Sequence, residues 1–153
     1  MPESNNKWLT SELGEFDENS IDKYYGFIYQ IINLSNLKTY IGRKAFHHIK
    51  TRKLTKKELA AQENKRKKTI TEKKDSGWRD YWGTCNELKD DIKKQGEDKF
   101  VKRILMLCST KKQLTYYETY YQMHYEVLFN NSYNDNILGK FYRKDFMNLE
   151  DKI

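Results

Sequence analysis

The chain has 153 residues and a net charge of +7, with 33% charged and 14% aromatic residues. That length suits one domain with a modest core, and so much ring surface argues against disorder. No apolar run is long enough to span a bilayer and no basic-flanked apolar stretch reads as an export signal, which disfavours a membrane or secreted protein and makes the cytoplasm the expected location. Cys85 and Cys108 are far apart, fit no zinc spacing with His47, His48 or His124, and are expected to be free thiols.

Residues 1–23 read as an acidic arm with one short helix. Tyr25 to Asn33 is rich in aromatic and β-branched residues and predicts a strand. Residues 34–38 read as a turn, Thr39 to Ile41 as the returning strand, and Gly42 as its end. Residues 55–74 have the composition of a very polar surface helix. Asp75-Ser76-Gly77 breaks it, and Trp78 to Gly83 is an aromatic-rich connector. Asn86 to Gln95 predicts a helix, with Leu88 and Ile92 on one face and Gly96 at its end.

Phe100 to Cys108 predicts a buried third strand. Thr110 to Gln113 is a capping-box pattern that opens a helix to about Val127, its packed face marked by Leu114, Tyr117, Tyr121 and Tyr125. The fold class is therefore α+β: a small antiparallel or mixed sheet, made of a β-hairpin plus a third strand, flanked by helices. The expected division is an arm over 1–23, one domain over 24–138 and a tail over 139–153.

The charge is concentrated. Residues 43–74 hold 13 Lys and Arg against three Glu, a local excess larger than that of the whole chain. Such a stripe is the footprint of polyanion binding, although a solvated basic surface looks the same in sequence.

The hairpin carries Gly26-Phe27-Ile28-Tyr29 and, ten residues on, Tyr40-Ile41-Gly42. These elements resemble the two signature strands of the GIY-YIG nuclease family, and Ser76 to Gly96 resembles a phage-type subgroup. The resemblance covers about residues 24–138. It implies a metal-binding glutamate on a later helix, where Glu118 fits, and an asparagine in a Tyr-Asn pair, where Tyr133-Asn134 fits. The sequence departs from the family where many members carry a catalytic arginine on the next helix. Lys50 stands at the comparable distance, with Arg52 close by, and Arg43 and Lys44 are further candidates.

The implied activity is metal-dependent hydrolysis of DNA phosphodiester bonds, of the phage homing or nicking kind. Tyr29 would take a proton from the attacking water, Tyr40 would position by hydrogen bonding, and Glu118 would hold Mg²⁺ or Mn²⁺ with waters. A tyrosine of pKa about 10 is a poor base at neutral pH, so a nearby cation is expected to lower it. The catalytic candidates are thus Tyr29, Tyr40, Arg43, Lys44, Lys50, Arg52, Glu118 and Asn134. Candidates for touching DNA are His48, Lys53, Lys65, Arg66, Lys67, Lys68, Lys73, Trp78 and Arg79.

The expected partner is double-stranded DNA, bound by a monomer or homodimer in the cytoplasm, the host's for a phage-encoded protein. Taken singly, the tyrosines are ordinary strand aromatics, Glu118 an exposed helix glutamate and Asn134 a turn residue. The alternative is a non-catalytic nucleic-acid-binding protein that retains the fold.

Overall fold

A computed structural model describes residues 7–146; the outer ends of the expected arm and tail, 1–6 and 147–153, lie outside the described residues. The fold is α+β. Strands β1 (Gly26–Asn33), β2 (Thr39–Ala45) and β5 (Phe100–Cys108) form an antiparallel sheet in the order β2-β1-β5. Strand β1 lies in the middle with both faces covered, so it reads as an almost unbroken buried run rather than an alternation. One face packs Phe27, Tyr29 and Ile31 against Trp8, Phe46, Trp78 and Leu88. The other packs Ile28 and Ile41 beneath Leu114 and Val127.

Helix α3 (Lys111–His124) lies over that second face and is capped by the Thr110 side chain, which accepts from the Gln113 amide at 3.1 Å. Its buried residues are Leu114 and Gln122, while Tyr125, expected on the packed face, is exposed. Helix α2 (Asn86–Gln95) buries Leu88 and Ile92 as their spacing predicts. Two short strands, β6 (Asn136–Ile137) and β7 (Phe141–Tyr142), form a small antiparallel pair.

The basic segment departs most from expectation. Instead of one long helix, β3 (His47–Lys53) and β4 (Thr69–Asp75) form a separate antiparallel ribbon, joined by α1 (Lys56–Ala61) and a turn. Lysine and glutamate read as helix formers, but alternating Ile49, Thr51, Thr69 and Thr71 favour extended chain. The helical signal is confined to a Thr55–Glu58 capping box. Gly42 is also not a strand end: β2 runs three residues past it.

The arm is part of the core. Leu9 donates to the Lys102 carbonyl at 2.9 Å and accepts from the Ile104 amide at 2.8 Å, covering the free edge of β5. Trp8, 4% exposed, donates from Nε1 to the Trp78 carbonyl at 2.8 Å and meets the Tyr29 ring edge-on at 5.3 Å.

Candidate active site

The strand register brings the signature residues together. Tyr29 pairs with Gly42, and Tyr40 pairs with Ile31. Both tyrosines therefore project from one sheet face. Their ring centroids lie 6.1 Å apart. The missing side chain at Gly42 makes the seat for Tyr29: a Cβ there would stand 2.5 Å from the Tyr29 oxygen. Gly83, at φ +82°, closes over the same hydroxyl, where a Cβ would lie 3.1 Å away. Opposite Ile28 and Tyr29 the β5 register slips by one residue, a bulge beside the site.

Tyr81 completes the cluster. Its ring meets Tyr29 edge-on at 5.9 Å, and the Tyr29 hydroxyl donates to its oxygen. By sequence Tyr81 falls in the aromatic-rich connector, outside the catalytic candidates. Its one local signal is the company of Gly83, whose need for positive φ appears only in the fold. Tyr40 is hydrogen-bonded to Thr84.

Burial holds the Tyr29 phenol well above its ordinary pKa, with Tyr40, Tyr81 and Glu118 adding to the effect. The expected lowering by a cation is thus reversed. Tyr29 is 1% exposed, and a phenolate there loses its water. Tyr40 and Tyr81 are raised for the same first reason.

Glu118 stands on the inner side of α3 with its Oε1 3.7 Å from the Arg43 Nε. Arg43 also donates to the Thr115 hydroxyl. Burial raises the Glu118 pKa, and Arg43 opposes that rise. Lys44, on the tyrosine face of β2, places its ammonium 4.2 Å from the Tyr81 ring centroid, and burial lowers its pKa. The two cations gathered with the phenols and the carboxylate are therefore Arg43 and Lys44.

Lys50 and Arg52 stand on the ribbon instead. Arg52 bonds Glu72 at 2.8 Å and both oxygens of Glu58 at 2.8 and 3.0 Å, so its charge is already matched. The helix expected to carry a catalytic cation is replaced here by the ribbon, which takes both residues out of the three-stranded sheet.

Asn134 works on the backbone. Its Oδ1 accepts from the Ile41 amide at 3.0 Å, and its Nδ2 donates to the Ile41 carbonyl at 2.9 Å. The same carbonyl accepts from Gln122 Nε2 at 3.1 Å. The middle of the second signature strand is thus pinned at the sheet edge by two side-chain amides. The preceding Tyr133 donates to Asp91 Oδ2 at 2.6 Å and accepts from Asn33 at 3.0 Å, anchoring the segment.

A cleft of about 380 Å³ opens here, lined by Tyr40, Thr84, Glu118, Gln122, Asn134 and Asn136 among others. Among the described residues no three His, Cys, Asp or Glu gather as a metal cage. A cation held here would have Glu118 as its carboxylate and water or phosphate oxygens for the rest. That fits a hard divalent ion, which takes few protein ligands, at a half-buried carboxylate facing an open polar cleft.

The remaining DNA-contact candidates divide. His48, Lys53 and Lys73 are exposed on the ribbon, and Lys65, Arg66, Lys67 and Lys68 are exposed in the turn between α1 and β4. Trp78 is 1% exposed and packs between Phe27 and Phe46, so it is a core residue and not a base-stacking platform. Arg79 is exposed but pairs with Asp75 at 3.0 Å and with Glu18 of the arm at 3.3 Å.

A hairpin with paired tyrosines on one face, a third strand beside it and a glutamate on the following helix define a GIY-YIG nuclease domain. Residues 8–145 match the family model described as "Putative endonuclease segE, GIY-YIG domain", and the chain belongs to that family. No curated protein and no solved structure matches the chain. The matched span includes Trp8 and Leu9 of the arm, in keeping with their place in the core. Among the described residues no helix is long and apolar enough to cross a membrane.

Proposed function

We propose that the protein is a metal-dependent DNA endonuclease that hydrolyses one phosphodiester bond per visit to this cleft. The observation that carries the reading is the meeting of three phenols, one half-buried carboxylate and two cations at the β2 edge. Membership of an endonuclease family supports it. When bound at Glu118, Mg²⁺ or Mn²⁺ supplies charge stabilisation for the departing 3′ oxygen.

The chain's own residues do the rest. Lys44 and Arg43 flank the β2 edge on opposite faces and neutralise phosphate oxygens. Tyr40, steadied by Thr84, donates to the phosphate. Tyr29 keeps its proton in the resting protein and shares it in a hydrogen bond with Tyr81; once Tyr81 loses its own proton to solvent, the Tyr29 proton passes to Tyr81, so the buried pair acts as one unit. Deprotonation of that unit, favoured by cations and by alkaline pH, gives the base for the attacking water. Asn134 and Gln122 hold the strand on which these groups depend.

The test is incubation of the purified chain with supercoiled plasmid in Mg²⁺, Mn²⁺ or chelator. Nicking that needs a divalent ion supports the reading. DNA binding without cleavage in any metal favours a retained fold that only binds.

A further inference from the structure

We propose that the β3–β4 ribbon inserts into the DNA major groove and reads base edges, with the face bearing Ile49, Thr51 and Thr71 contacting thymine methyl groups. The inference rests on the endonuclease reading and names where its sequence preference resides. A two-stranded antiparallel ribbon has the width that the major groove accepts. Seven consecutive residue pairs run from His47–Asp75 to Lys53–Thr69. Among the described residues no further strand pairs with β3 or β4, and every residue of β3 beyond His47 is exposed. Such a ribbon is marginal alone and needs a reason to stay extended. Arg52 gives it stiffness by tying β3 to Glu72 of β4 and to Glu58 of α1.

Its two faces differ. On one, Arg52, Glu72 and Ile70 accompany Lys50, with the arginine already ion-paired. On the other, Ile49 is 64% exposed, and Thr51 stands directly opposite Thr71. Lys53 and Lys73 flank these methyl groups on the same face. Methyl-bearing side chains set among lysines suit a surface that offers both phosphates and the C5-methyl of thymine. Residues 47–75 hold eleven Lys and Arg against four acidic residues, which gives the required charge complementarity.

The ribbon also starts in the right place. Only Phe46 separates β3 from β2, which carries Tyr40, Arg43 and Lys44. At roughly 3.3 Å per residue, seven residues span about seven base pairs. The preferred bases should therefore lie within about seven base pairs of the cut, on one side of it.

The experiment uses the full chain carrying Glu118→Gln, so that binding is read without cleavage. It is mixed with randomised duplex DNA and the bound fraction is sequenced. Matched duplexes then carry deoxyuridine in place of thymidine. The expected result is enrichment of thymine at fixed positions and binding about fourfold weaker for each methyl lost. Adding Ile49→Ser, Thr51→Ser and Thr71→Ser, all exposed, should abolish that sensitivity while the melting temperature holds. Equal binding of thymidine and deoxyuridine duplexes by the Glu118→Gln chain overturns the proposal. So does a serine variant that weakens every sequence alike, since the ribbon would then touch phosphate alone. A chain that keeps the thymine preference but never cuts plasmid overturns only the endonuclease reading, and a chain that cuts without it overturns only the ribbon.

Discussion

The Tyr29 hydroxyl and the α-carbon of Gly42 face each other so closely that a methyl group on Gly42 would stand 2.5 Å from the oxygen. The ring cannot retreat, because Trp8, Phe27 and Tyr81 pack against it. Gly42→Ala should therefore destabilise the fold by about 1–3 kcal/mol, as overpacking does. It should also lower cleavage more than that loss of folded protein explains. Urea unfolding and plasmid cleavage, measured on the same preparation, check both parts.

Asn134 uses both ends of its amide on Ile41. Asn134→Ala leaves the Ile41 amide without its partner, at a cost of about 1–3 kcal/mol. Asn134→Asp keeps the acceptor but sets a carboxylate against the Ile41 carbonyl, and should be at least as harmful. Thermal melting of the two variants tests this ranking. Asn134→Asp melting like the parent would mean that the donor half of the amide contributes nothing.

Burial raises the pKa of Glu118 above the ordinary value of 4.5, and Arg43 restrains it. A raised carboxylate pKa means that the proton returns sooner as pH falls. At subsaturating metal, where most Glu118 is metal-free, the acid limb of cleavage should then lie above pH 4.5, and saturating metal should move it down. Arg43→Gln removes the opposing cation and should move that limb to still higher pH. On the alkaline side, raised phenol pKa values predict that the rate keeps climbing through pH 9 without a plateau. Single-turnover rates across pH measure both limbs.

Lys102 is 2% exposed between the Trp8 and Trp82 rings, each 4.5 Å from its ammonium, and donates to the Arg79 carbonyl at 3.1 Å. Burial pulls its pKa from 10.5 down to about 8. Between those values the unfolded chain binds more protons than the folded one, so this group makes stability rise with pH from about 8 toward 10.5. The cost relieved is on the order of 3 kcal/mol. Stability at pH 7.5 and 9.5 should show a wild-type gain that Lys102→Met lacks. Comparing the two chains cancels Cys108, whose thiol burial pushes up to about 11 and which acts in the opposite sense.

The signature strands were legible in the sequence because their chemistry is local. Aromatic and β-branched residues fix β1 and β5, and one threonine cap fixes the start of α3. Glu118 and Asn134 could be named from the motif, but the bonds of Asn134 to Ile41 span 93 residues and needed the fold. The ribbon was hidden because lysine and glutamate fit a helix or an exposed strand equally well. Trp8 looked like part of a loose arm because its partners, Trp78 and Lys102, are more than 60 residues away. Arg43, Lys44, Lys50 and Arg52 could not be told apart in the sequence, because all four follow closely on the second signature strand. Pairing decided between them: Arg52 is matched by glutamates on the ribbon, whereas Arg43 faces Glu118.

The most direct test of the account compares supercoiled plasmid nicking in Mg²⁺ by the wild-type chain, Glu118→Ala and Tyr29→Phe. Chelator should abolish nicking, and each variant should nick about 100-fold or more slowly, the scale of losing a group that acts on the transition state. Nicking by Glu118→Ala at the wild-type rate would contradict this expectation.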